Sequence, residues 1–180
     1  LTRCLFAEEC SMFGDNKPSA TDEEWDKLCD GLNKLGKIAA DRGFKLCFHH
    51  HMATVVQTFE ETKRLMDNTD PRYVSFCIDT AHTTLAGMSP VELIKKVGPR
   101  LAYMHLKDVD TYALKTAEGA DKMGTFRALG HGTIDFPAVK AALEEIGYNG
   151  ILCVELDRPE VGNFHSAEVS RIYIRDVLDI

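Results

Sequence analysis

Four short apolar runs in this chain each end in a side chain able to bind a metal or move a proton. The run 44–48 leads into His49-His50-His51, and the run 73–78 into Asp79 of Asp79-Thr80-Ala81-His82. The run 101–104 leads into His105 of His105-Leu106-Lys107-Asp108, and the run 151–154 into Glu155 of Glu155-Leu156-Asp157. One polar residue at a strand end ordinarily caps a helix or bonds a loop. Four in succession predict a shared site. Two imidazoles and two carboxylates form a mixed nitrogen and oxygen ligand set, which suits Mn2+, Co2+, Zn2+ or Fe2+ better than the all-oxygen cages of Mg2+ or Ca2+.

Further polar groups stand near these strand ends. His82 follows Asp79 by three positions and can reach the same place as a substrate hydrogen bonder or acid/base group. His51 and Asp108 are candidates for a similar role, or for holding the ligands in position. His131, between Gly130 and Gly132, reads as backbone contortion before phosphate binding, because no P-loop pattern follows it. Glu8 and Glu9 close an earlier apolar run and read as solvated rim residues.

The elements needed to position such groups alternate along the chain. Arg3–Ala7 reads as a first strand, followed by a polar loop. A capping signal at Thr21 and Glu24 opens a helix whose apolar positions Trp25, Leu28, Leu32, Leu35 and Ile38 recur at helical spacing, ending at Gly43. Strands are expected at 44–48, 73–78, 101–106 and 151–154, and helices at 59–67, from Pro90, at 136–146 and at 166–178. The stretch 109–135 shows no pattern of its own, and loops that long are often lids or binding loops. Five strand-then-helix units with apolar strands predict a parallel α/β sheet. In a (β/α)8 barrel the carboxyl ends of all strands share one mouth, where residues distant in sequence meet.

Composition narrows the function. The 180 residues are 44% hydrophobic and 27% charged, enough for one domain with a core. The formal net charge of −7, with no basic run, disfavours nucleic acid as a partner. No apolar run is long enough to span a bilayer and no signal peptide opens the chain, so a cytoplasmic protein without a membrane partner is expected. Cys4, Cys10, Cys29, Cys47, Cys77 and Cys153 include no CxxC pair and are read as reduced thiols. The start at Leu1, directly before a strand, predicts that a front part of the domain precedes this sequence.

The motifs Asp79-Thr80-Ala81-His82, His105-Leu106-Lys107-Asp108, Leu129-Gly130-His131-Gly132-Thr133-Ile134-Asp135-Phe136 and Val154-Glu155 together resemble the xylose-isomerase-like TIM barrel superfamily. Their order holds over nearly the whole chain, as strands four to eight of the (β/α)8 barrel. Phe48-His49-His50-His51-Met52-Ala53-Thr54 is most similar to the inosose dehydratases of that group. The resemblance implies metal ligands at His49, Asp79, His105 and Glu155, with His82 contacting substrate. Epimerases of the group carry a glutamate where His49 stands, and an Arg near Val109-Asp110-Thr111.

Loss of that carboxylate removes the simplest two-base route to epimerisation, whereas elimination needs one base and one acid. The resemblance therefore implies a hydro-lyase acting on 2-keto-myo-inositol (scyllo-inosose) in inositol catabolism, using Mn2+ or Co2+. Glu155 would accept the proton, and His82 or His51 would protonate the leaving hydroxyl. A sugar isomerase or epimerase on the same metal site is the alternative. A non-catalytic sugar-binding barrel is another, and a DNA-repair nuclease is disfavoured by the acidic balance. Five strands leave two open edges, so self-association into a homo-oligomer is expected of this stretch alone.

Overall fold

The protein is described by a computed structural model covering residue 13, residues 17–159 and residues 161–180. The expected strand at Arg3–Ala7, with Cys4, Glu8, Glu9 and Cys10, lies outside the described residues.

Among the described residues, every α-helix but the last begins where a side chain satisfies free N–H groups of the first turn, whereas the last starts at Gly162 without a side-chain cap. Helix α1 (Asp22–Ala40) opens with a reciprocal capping box: the Glu24 N–H donates to Thr21 Oγ1, and the Thr21 N–H to Glu24 Oε2. The same device at Thr58 and Glu61 starts α2 (Phe59–Asp67). Ser89 caps α4 (Pro90–Val97), and Asp135 caps α6 (Phe136–Glu145). Between them β1 (Leu46–His49), β2 (Val74–Asp79), β3 (Leu101–Leu106) and β6 (Ile151–Val154) form one parallel sheet in the order β1-β2-β3-β6. Helix α7 (Asn163–Asp176) follows β6.

The sheet has two chemically different faces. Phe48, Phe76, Ile78, Met104, Leu106 and Leu152 pack with Trp25, Leu65, Ile94, Phe136 and Val139 of the helices into one apolar core. Phe76, Ile78 and Met104 are wholly buried, each worth about 1.5–3 kcal/mol by removal from water. Strand alternation sends the intervening residues, Cys77 and Asp79 on β2 and His105 on β3, to the opposite face.

Three expectations need correction. Leu35 and Ile38 continue the apolar spacing of α1 but are 57% and 50% exposed, because the helix turns a different stripe, Trp25, Cys29 and Gly36, onto the sheet. Gly36 lies so close that a Cβ there would meet the Tyr73 carbonyl oxygen at 2.3 Å. The patternless 109–135 stretch is built: β4 (Asp108–Val109) pairs antiparallel with β5 (Phe126–Arg127), and α5 (Thr111–Thr116) and a 3-10 segment (Gly119–Thr125) lie between them. An unexpected helix, α3 (Thr80–Leu85), follows Asp79 directly, with the Asp79 carboxylate accepting the His82 N–H at 2.8 Å. Of the cysteines, Cys29 and Cys77 are buried and Cys47 and Cys153 half-buried, all four with free thiols.

Candidate metal centre

Strand register brings the strand-end residues to one place. His49 is the ladder partner of Cys77, Asp79 of His105, and His105 of Cys153. The Glu155 N–H bonds the Leu106 carbonyl at 3.0 Å, which carries the β3–β6 ladder one residue further. His105 Nδ1 consequently lies 2.5 Å from Glu155 Oε2 and 3.6 Å from Asp79 Oδ2. The His49 ring centroid is 4.8 Å from that of His105. One donor atom each from Asp79, His105 and Glu155 falls within a common span of 4.8 Å.

These groups are not satisfied by one another. His49 Nε2, Asp79 Oδ2 and His105 Nδ1 are buried without an aligned hydrogen bond. Leaving a buried polar atom unpaired costs about 1–3 kcal/mol. Asp79, with Cys77 and Glu155 beside it, holds the His105 imidazolium well above its usual range, while burial pulls His49 down to about 4. Imidazole nitrogens and carboxylate oxygens with free lone pairs, converging at strand ends, fit a divalent cation.

Lys107 is the residue that sequence reading missed. Its ammonium is 1% exposed and lies 2.8 Å from Glu155 Oε1, 2.6 Å from Asp157 Oδ2 and 4.8 Å from the Phe126 ring centroid. Burial alone would depress its pKa, but the hydrogen bonds to Asp157 and Glu155 outweigh burial, and the net shift is upward. Glu155 is held well below the carboxylate range by His105 and then Lys107. The carboxylate thus turns Oε1 to Lys107 and Oε2 to His105. Thr80 ties the same strand ends: its Oγ1 donates to the Lys107 carbonyl at 2.7 Å and accepts the Lys107 N–H at 2.9 Å.

The remaining imidazoles form one wall. The ring centroids of His82 and His51 are 3.7 Å apart, and each lies within 5.7 Å of that of His49. His51 Nδ1 lies 2.7 Å from the Met52 carbonyl oxygen, which can only accept. The neutral ring therefore carries its proton on Nδ1 and leaves Nε2 as a lone pair. Both ring nitrogens of His82 are buried and unpartnered. Burial holds His82 far below the near-neutral titration read from its type, so the ring is neutral at physiological pH and still offers one N–H. His50, the middle residue of the triplet, bonds Thr83 Oγ1 at 3.1 Å on the other side of the strand end.

Asp108 does not join this cluster. Its carboxylate accepts the N–H groups of Val109, Gly130 and Gly132 at 2.9–3.0 Å, and that of Ile134 at 3.3 Å. The Gly-rich turn around His131 is built to reach it: a Cβ on Gly132 would meet Asp108 Oδ1 at 2.2 Å. The backbone donors that a phosphate would need are spent on Asp108, and His131 itself is exposed.

A parallel sheet backed by helices, with its polar cluster at the strand carboxyl ends, defines the class as an α/β barrel protein whose site lies at the barrel mouth. The four strands of the parallel sheet form an arc of such a barrel, open at β1 and β6. The chain belongs to the xylose isomerase-like TIM barrel family, whose model matches residues 6–174. It is 43% identical over 171 residues to an inosose dehydratase of Geobacillus thermodenitrificans, covering 90% of this chain and 57% of that protein. An inosose dehydratase of Bacillus anthracis is 39% identical over 170 residues, covering 89% of this chain and 57% of that protein. The chain thus spans somewhat over half the length of the curated relatives it matches. Among solved structures it is similar in fold to the IOLI protein with a binding zinc atom (TM-score 0.72, 24% identity, 91% of this chain and 60% of that one). A sugar phosphate isomerase/epimerase from Parabacteroides distasonis is similar in fold as well (TM-score 0.69, 21% identity, 90% and 56%). Among the described residues no helix is long and apolar enough to cross a membrane.

Proposed function

We propose that this chain is part of a metal-dependent hydro-lyase that eliminates water from 2-keto-myo-inositol, giving a trihydroxycyclohexane-1,2-dione. The observation that carries this reading is the asymmetry of the site. Glu155, held by Lys107 and His105 yet 30% exposed, is the carboxylate that reaches the open side of the site, and His49, His51 and His82 make an all-imidazole wall beside it. Asp79 Oδ1 accepts the His82 backbone N–H, and Oδ2 is left as a buried ligand atom 3.6 Å from His105 Nδ1. A proton exchange between two opposed carboxylates, as an epimerase would use, finds imidazoles in place of a carboxylate on the wall formed by His49, His51 and His82. The relatives named inosose dehydratase support the same choice.

His49, Asp79, His105 and Glu155 would hold the cation, with Mn2+ or Co2+ favoured by the mixed ligand set and Zn2+ or Fe2+ as further candidates. When bound, it supplies Lewis-acid polarisation of the substrate carbonyl and an adjacent hydroxyl. Glu155 accepts the proton from the carbon beside the carbonyl, with Lys107 fixing its other oxygen. His82 donates a ring N–H to the departing hydroxyl, which leaves as water. His51, packed on His82 with Nδ1 anchored to Met52, takes up a proton from solvent at Nε2 and passes it to His82 as the hydroxyl leaves. Proton balance closes when Glu155 releases its proton to solvent.

The reading extends to one domain, a small-molecule polyol ketone as partner, and a reducing cytoplasmic setting that suits the four free thiols. Apolar side chains left outward near the β6 edge, Ile151 at 60% and Phe164 at 83% exposure, favour a homo-oligomer or closure by further strands.

The test is a product assay of the purified protein on 2-keto-myo-inositol, before and after metal removal. A dione absorbing in the ultraviolet and a mass loss of one water are expected, both abolished by chelator. A product of unchanged mass would replace this reading with isomerisation, and dehydration unaffected by excess chelator would refute the metal's role.

A further inference from the structure

One step below the proposed centre the same face of the sheet carries a second ligand set. Asp79 and Cys77 are two residues apart on β2 and so project to the same side. His105 is the ladder partner of Asp79, whereas His49 is the partner of Cys77, one layer deeper. Cys77 Sγ and one nitrogen each of His49 and His105 all lie within 4.8 Å of one another. Cys77 is buried, and His49 Nε2 is buried without a hydrogen-bond partner. His105 thus stands between an oxygen-rich triad, with Asp79 and Glu155, and a sulfur-containing one, with His49 and Cys77.

We infer that His49, Cys77 and His105 form a second, soft-metal position that competes with the oxygen-rich centre for the same imidazoles. The inference rests on the proposed centre only in sharing His49 and His105 with it. An imidazole–imidazole–thiolate set prefers Zn2+, Cd2+ or Cu+ over Mn2+, because polarisable sulfur stabilises the softer ions. Zinc–nitrogen and zinc–sulfur bonds of about 2.0–2.3 Å require donors about 3.5 Å apart, so the triad closes on an ion by shifts on the order of 1 Å. The Cys77 proton passes to solvent as the thiolate binds. Two dications held by the shared His49 and His105 imidazoles would repel each other at close range, so occupation of the lower position empties the upper one. A soft ion would then inactivate the protein by displacement while remaining bound within the site.

The test uses Cd2+ and Mn2+ on the purified protein. Cd2+ should give a near-ultraviolet thiolate charge-transfer band at one equivalent and release bound Mn2+ one for one, seen as free Mn2+ by electron paramagnetic resonance. Cys77→Ser should lose the band and require at least tenfold more Cd2+ to release Mn2+. Cys77→Ala, which adds no buried hydroxyl, should do the same. Glu155→Gln should bind Mn2+ poorly yet keep the Cd2+ band. A band that persists in both Cys77 variants, or Cd2+ bound with no band in the unaltered protein, would overturn the inference and leave the upper centre standing. Failure to bind either ion would overturn both.

Discussion

The Lys107 ammonium, buried at the end of β3, lies 2.8 Å from Glu155 Oε1 across 48 residues of sequence. An ammonium is tolerated inside a protein only when paired, and here the carboxylates that pair it are about a third exposed. Lys107 therefore determines which oxygen of Glu155 is left for the cation. Lys107→Met should lower metal affinity 10–100-fold, the usual effect of losing a group that orients a ligand (on the order of 1–3 kcal/mol). Competition titration with a chelating dye measures it, and Lys107→Arg should recover part of the loss.

Asp108 has a different task. Its carboxylate gathers the Gly130, Gly132 and Ile134 N–H groups and so fixes the turn leading to α6. Asp108→Ala leaves four backbone donors unpaired, that of Val109 buried and those of Gly132 and Ile134 half-buried, and should cost about 3–5 kcal/mol. For a chain of this size that is a Tm fall of roughly 6–20 °C. Asp108→Ala should therefore act on thermal unfolding, with metal affinity in the folded protein near its original value.

Two glycines of α1 should respond in opposite directions. A Cβ on Gly31 meets nothing within 4 Å, while one on Gly36 meets the Tyr73 carbonyl oxygen at 2.3 Å. Gly31→Ala should stabilise by about 0.5–1 kcal/mol through helix propensity. Gly36→Ala should destabilise by about 1–3 kcal/mol by forcing the helix off the sheet. Urea midpoints of the two variants give the comparison.

Sequence periodicity located the elements whose burial is one-sided or whose caps are local. β3, β6 and α2 fall where the apolar runs and the helix expected at 59–67 put them. Helix α3 escaped because Thr80-Ala81-His82-Thr83 has no apolar stripe, and its start is set by Asp79, which reads equally well as a strand-end ligand. Lys107 escaped because a lysine after a strand reads as solvated. Only partners 48 and 50 residues later make its burial affordable. Asp108 was grouped with the site by adjacency, yet the alternation of the strand turns it away from His105 and toward the glycine turn. The approach of Asp79, His105 and Glu155, with the His49 ring beside His105, was legible because a parallel sheet puts all its strand carboxyl ends on one side.

His82 separates catalysis from metal holding. Its backbone N–H bonds Asp79, but both ring nitrogens are unpartnered and the ring packs on His51. His82→Gln should reduce kcat on 2-keto-myo-inositol by about 10²–10⁴-fold, the range for losing a positioned acid. Bound metal, measured by elemental analysis, should stay at its original stoichiometry. An unchanged kcat would remove His82 from the mechanism.

The most direct test of the account is anomalous diffraction from crystals grown with Mn2+. One peak is expected among His49, Asp79, His105 and Glu155, with ligand distances of about 2.0–2.3 Å. A Mn2+ peak elsewhere, or those four side chains ordered around no ion at saturating Mn2+, would contradict it.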